Sequence, residues 1–114
     1  MNIGILIQED ITKFNEIYSA LDIFIQNDDT IILNDDCYIK QIKKYTDKNN
    51  INIKIEENSG SFLNKVDYII TFLNAEKYYK QNIPSEIDSL IHDAEELNLN
   101  NIKIIVNHSL QNDF

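Results

Sequence analysis

Two kinds of apolar segment alternate along the chain. Residues 3–7 are a short β-branched run bounded by polar positions, the pattern of a buried strand. Ile11, Phe14, Ile17, Tyr18, Leu21, Phe24 and Ile25 then recur at helical spacing, with Asp10 placed as the N-cap and Asn27, Asp28 and Asp29 as the stop. Residues 30–33 read as a second strand. Asn34, Asp35 and Asp36 form a turn and cap cluster, and Ile39, Ile42 and Tyr45 mark a helix that stops at Asn49 and Asn50. Ile51, Ile53 and Ile55 alternate with polar residues, as on a strand near a sheet edge.

Asn58, Ser59, Gly60 and Ser61 read as a loop, followed by a short helical turn carrying Phe62, Leu63 and Val66. Residues 67–73 (DYIITFL) are the most hydrophobic strand and are placed at the centre of the sheet. Residues 75–81 read as a helical turn or a lid-like loop. Pro84 stands at a helix entrance, and Ser85 with Asp88 resembles a capping box. Ile87, Leu90, Ile91, Ala94 and Leu97 form an apolar stripe, residues 102–106 a last buried strand, and residues 108–114 a polar tail. Strands alternating with helices predict one α/β domain over 1–114. The expected architecture is a three-layer α/β/α sandwich around a five-stranded, mostly parallel, Rossmann-like sheet.

Charge narrows the function classes. The 114 residues carry a formal net charge of −9, and all ten basic residues are lysine. Arginine is the usual fork for phosphate and guanine, so its absence within a negative field excludes a reader of DNA or RNA. The same field suits a protein that imitates nucleic acid to block a basic partner. The single cysteine, Cys37, excludes an internal disulfide framework. No apolar run approaches the roughly 20 residues of a membrane span. The opening MNIGILIQED lacks a basic n-region, so the reading is cytoplasmic. Isoleucine, asparagine, aspartate and lysine make up 59 of the 114 residues. Their A/T-rich codons are common in low-GC bacteria and their phages, and account for part of the acidity.

In an open α/β sheet, ligands bind beyond the carboxyl ends of the strands. That rule selects Gln8, Glu9 and Asp10; Asn34, Asp35, Asp36 and Cys37; Asn58, Ser59, Gly60 and Ser61; Asn74, Glu76, Tyr78 and Tyr79; and Asn107, His108 and Ser109. Two glycines make neither G-x-G-x-x-G nor a Walker loop. The hydroxyls and backbone N–H groups of Ser59, Gly60 and Ser61 offer the better anion site. Tyr78 and Tyr79, flanked by Lys77 and Lys80, are suited either to stacking a base beside a phosphate or to a partly buried turn. Glu9, Asp10, Asp35 and Asp36 are oxygen donors of the kind Mg²⁺ uses, but caps and turns explain them as well. A working phosphoacceptor receiver is excluded because Glu56, Glu57, Asn107 and His108 stand where its aspartate and lysine belong. His92 and His108 lack a second ligand at zinc spacing. No metal, cofactor or catalytic residue is assigned.

From about Thr30 to Val106 the chain resembles the SLOG superfamily of Rossmann-like nucleotide-binding domains. That superfamily includes the LOG/lysine-decarboxylase-like proteins, and is related to the nucleoside deoxyribosyltransferases and, more distantly, to TIR domains. The resemblance rests on TIILNDDCYIKQIKKYTDKNN, on FLNKVDYIITFLN and on SLIHDAEELNLNNIKIIV. It departs where the family has a glycine-rich turn, here Asn34, Asp35 and Asp36. It departs again where the family has an arginine, here near Ser59 and Gly60, and at the glycine-threonine entry to the last helix, here Pro84 and Ser85. The position of the enzymes' glutamate holds Leu90, and Glu86 is out of register. The resemblance implies a nucleotide-type pocket without catalytic machinery, one that sequesters or senses a nucleotide-derived small molecule, as in anti-defence sponges.

The expected ligand contacts are Gln8, Asn34, Asp35, Ser59, Gly60, Ser61, Asn74, Tyr78, Tyr79 and Ser85. Two other readings stand beside this one. One is an acidic inhibitor of a basic protein; the other is a glycosidic-bond enzyme using Glu86, Glu76 or Asp93. Phe14, Tyr18 and Phe24 serve either the core or a dimer contact.

Overall fold

A computed structural model describes residues 1–76 and 87–106. Its strands are β1 (Asn2–Ile7), β2 (Thr30–Leu33), β3 (Asn52–Ile55), β4 (Tyr68–Asn74) and β5 (Asn101–Val106). The helices are α1 (Asn15–Phe24), α2 (Ile39–Asn49), α3 (Ser59–Lys65) and α4 (Ile87–Glu96). The sheet runs in the order β3-β2-β1-β4-β5, and every pairing is parallel. The most hydrophobic strand, β4, is interior but lies next to the centre, which β1 occupies.

Alternation along β1 separates the two cores. Ile3 and Ile5 pack with Ile17 and Leu21 of α1 and Ile42 of α2, while Leu6 faces Phe62 of α3 and Leu90 and Ala94 of α4. This is the expected α/β/α sandwich. Gly4 is the point of closest approach on the α3 side. A Cβ there would lie 2.7 Å from Phe62 Cζ and 3.0 Å from Val66 Cγ1, so only glycine lets α3 sit down on β1.

With few glycines, the chain turns its helix ends on asparagine. Asn50 caps α2 in the left-handed region at φ 55°, and Asn98 takes φ 57° just beyond α4. Asparagine tolerates this backbone better than residues with larger or branched side chains. Leu99 then packs under α4, while Leu97 of the predicted stripe is exposed.

Three further sequence expectations need correction. Asp10 does not cap a helix. It sits at φ 67°, α1 begins only at Asn15, and its N-cap residue, Phe14, makes no side-chain cap bond. The helical spacing of Ile11 misled because Ile11 is buried by a loop rather than by a helix face. Ser59, Gly60 and Ser61 are not a loop but the first turn of α3, capped by Asn58, whose Oδ1 accepts the Ser61 N–H at 2.9 Å. Finally, β5 is an edge strand rather than a buried one. Ile102 and Ile104 are half-buried and Ile105 is exposed, because β5 pairs with β4 only.

Candidate functional site

The strand order reverses between β1 and β4, since β2 and β3 continue to one side of β1 and β5 lies beyond β4. Two connections diverge at that point and leave a crevice at the carboxyl edge. Gln8 and Asn74 stand there, both predicted site residues, and the fold brings them into contact. Gln8 is fully buried and still donates its backbone N–H to Phe72 O at 2.9 Å. Its side chain then takes over the sheet ladder, with Oε1 accepting the Asn74 N–H at 2.7 Å. The backbone carbonyl of Gln8 accepts instead from the Tyr38 hydroxyl at 3.4 Å.

Because the Asn74 N–H needs an acceptor, the Gln8 amide can point only one way. Its NH2 group is therefore directed elsewhere, and that Nε2 is buried with no hydrogen-bond partner.

The amide side chains lace the strand ends together. Asn74 Nδ2 donates to Asp10 O at 3.4 Å, and its Oδ1 accepts the Glu76 N–H at 3.0 Å. Asn34 Nδ2 donates to Glu56 O at 3.0 Å, tying the end of β2 to the end of β3. The carboxylates instead face solvent around this lacing. Glu9 and Asp10 follow β1, Asp35 and Asp36 follow β2, Glu57 follows β3 and Glu76 follows β4, and all six are exposed. Asp35 Oδ1 accepts the Cys37 N–H at 3.1 Å, so it shapes the turn into α2.

A cavity of about 40 Å³ opens at this edge, lined by Leu6, Ile7, Asn34, Asp35, Tyr38, Ile87 and Leu90 among others. That volume holds about one water molecule. Anything larger would lie across the strand ends and send only a small group inward. Burial of Tyr38 pushes its hydroxyl above the usual tyrosine range, and the nearby Asp10 adds to the shift.

Two wider grooves lie elsewhere. One of about 290 Å³ separates α1 from α2 and is lined by Tyr18, Asp22, Lys44, Tyr45, Lys48 and Asn49. Its floor is the stacked pair Tyr18 and Tyr45, with centroids 5.9 Å apart, and Tyr45 donates to Asp22 Oδ1 at 2.8 Å. The other, of about 420 Å³, runs between α1 and Ile104 past the exposed Ile23. Neither lies at the carboxyl ends of the strands. Phe14, Tyr18 and Phe24 pack against the core and are half-buried.

The cavity thus gathers Asn34 and Asp35, with Gln8 and Asn74 in contact beside the point where the strand order reverses. Ser59, Gly60 and Ser61 are turned to the capping of α3. Tyr78, Tyr79 and Ser85 lie outside the described residues, as do Lys77, Lys80, Pro84, Glu86, Asn107, His108 and Ser109. Glu76 and Asp93 are exposed. Tyr38, Ile87 and Leu90 were not predicted as cavity residues. Tyr38 follows the Asn34–Cys37 cluster directly, and that adjacency was the available signal. Among the described residues, no group of three or more His, Cys, Asp or Glu is placed to hold a metal ion, and no helix is long and apolar enough to cross a membrane.

The all-parallel five-stranded sheet between two helical layers makes this a Rossmann-like α/β domain. No protein-family model matches the chain, and neither a curated protein nor a solved structure does.

Proposed function

We propose that the chain binds a nucleotide-derived small molecule at the carboxyl edge of its sheet and holds it without transforming it, acting to sequester or sense it. The observation that carries this reading is the Gln8 amide, whose NH2 is fully buried and unpartnered beside the reversal of strand order. An unpaired buried donor costs about 1–3 kcal/mol, and a ligand acceptor reaching it would recover that loss. Asn34, Asp35 and Tyr38 line the cavity at the same sheet edge and would supply the polar contacts that give orientation. Tyr78 and Tyr79, on the segment joining β4 to α4, are the proposed stacking groups.

The test is a thermal-shift and calorimetric screen against nucleosides, nucleotides, cyclic nucleotides and ADP-ribose derivatives. A saturable ligand whose affinity falls in the Tyr78→Ala, Tyr79→Ala and Asp35→Ala variants supports the reading. A panel with no stabilising ligand overturns it.

A further inference from the structure

Strand β3 ends the sheet and pairs only with β2 among the described residues. Residues 77–86 follow β4 and residues 107–114 follow β5, and both of those strands lie on the other side of β1. In a parallel ladder the N–H and C=O of one residue point to the same neighbouring strand, and those of the next residue point away. Glu56 faces β2: its N–H reaches Leu33 O at 2.8 Å and its carbonyl accepts Asn34 Nδ2 at 3.0 Å. Ile53 and Ile55 therefore present their backbone N–H and C=O groups to the outside of the sheet. The Ile55 side chain is 41% exposed as well.

We propose that a second copy of this chain occupies this edge, with the two β3 strands pairing antiparallel about a two-fold axis and joining two five-stranded sheets into one. Charge selects the register. Outward residues pair with outward residues, so the axis falls at residue 53, 54 or 55. An axis at Lys54 sets the two lysines against each other, and one at Ile53 sets Lys54 against Asn52. An axis at Ile55 sets Lys54 opposite Glu56 in both halves, in the non-hydrogen-bonded pairing where side chains come closest. The exposed Ile55 then meets its own copy, and Ile53 pairs with Glu57. A lysine on an edge strand commonly bars such pairing. Here Glu56, two residues along the same strand and on the same face, matches it, and Lys65 of α3 holds that carboxylate in place at 2.6 Å. Antiparallel pairing points the two carboxyl edges in opposite directions, so this contact is independent of the ligand site proposed above.

Sedimentation equilibrium of the full chain from micromolar to millimolar concentration tests this. The mass should rise with concentration to twice that of one chain, and the Ile53 and Ile55 amides should become protected from hydrogen exchange as it does. Lys54→Glu and Glu56→Lys each set like charges opposite one another, and each alone should weaken the dimer about tenfold. Mixing the two variants places opposite charges at both positions and should restore association, a recovery that misfolded chains would not show. A chain that stays monomeric to millimolar concentration overturns the proposal. So does a dimer that both single variants leave intact.

Discussion

The side-chain carbonyl of Gln8 accepts the backbone N–H of Asn74 at 2.7 Å, across 66 residues of sequence. A side chain thereby supplies the last rung between the two strands that flank the reversal of strand order. The chain of β1 can then peel away through Asp10 without leaving the buried Asn74 N–H unpaired. Gln8→Leu keeps the bulk of the side chain and removes this acceptor. Leaving the buried Asn74 N–H alone costs about 1–3 kcal/mol, but the same change removes the unpartnered NH2, so urea unfolding should show a smaller net loss than that. A raised stability would mean that the unpartnered NH2 costs more than the bond to Asn74 contributes.

Gly4 and Phe62 should be coupled. Gly4→Ala places a methyl group 2.7 Å from Phe62 Cζ, inside contact distance, and should destabilise by about 1–3 kcal/mol. Phe62→Leu removes the ring tip and is destabilising by itself. In a double-mutant cycle the pair should cost less than the sum of the two single changes. Simple additivity would show that α3 shifts as a body instead.

Asn50 ends α2 in the left-handed region, a backbone that a Cβ disfavours and asparagine tolerates. Asn50→Gly should therefore stabilise the fold by up to about 1 kcal/mol, and Asn50→Ala should destabilise it by a similar amount. The two midpoints in chemical denaturation should move in opposite directions.

Asp29 gives a pH signature. It is buried, which alone would raise its pKa, but the Gln26 N–H and the Met1 ammonium outweigh that burial and hold its carboxyl below the usual range. A lowered folded-state pKa contributes stability that is present above the unfolded value, about 3.9, and is lost as pH falls through the folded value. The Met1 ammonium is raised by the same bond, so its share is present at neutral pH and fades as pH climbs through its folded value. Asp29→Asn should destabilise the protein near neutrality, and the deficit should shrink below about pH 4. A deficit that stayed constant with falling pH would show that the carboxylate's charge is irrelevant.

The layered α/β order was legible in the sequence because strong β-branched runs and helical stripes alternate cleanly. Where the reading erred, one residue type served two purposes. Asp10 has the chemistry of an N-cap and also tolerates positive φ, and only tertiary packing of Ile11 decides between them. Ser59, Gly60 and Ser61 look like a loop by composition, yet Asn58 caps them into a helix. Knowledge of where α/β sheets bind ligands picked out Gln8, Asn34, Asp35 and Asn74. It did not reveal that the amides among them lace neighbouring strand ends, or that Tyr38 joins them at the cavity. Those contacts span 22 to 66 residues, and no local pattern encodes them.

The central claim concerns location, so the most direct measurement maps it. A ¹⁵N-labelled sample titrated with nucleosides should show saturable shifts concentrated on the Gln8 side-chain NH2 and on Asn34, Asp35, Tyr38 and Asn74. Saturable shifts gathered instead along the α1–α2 groove, around Tyr18, Lys44 and Lys48, with the Gln8 resonances unmoved, would contradict it.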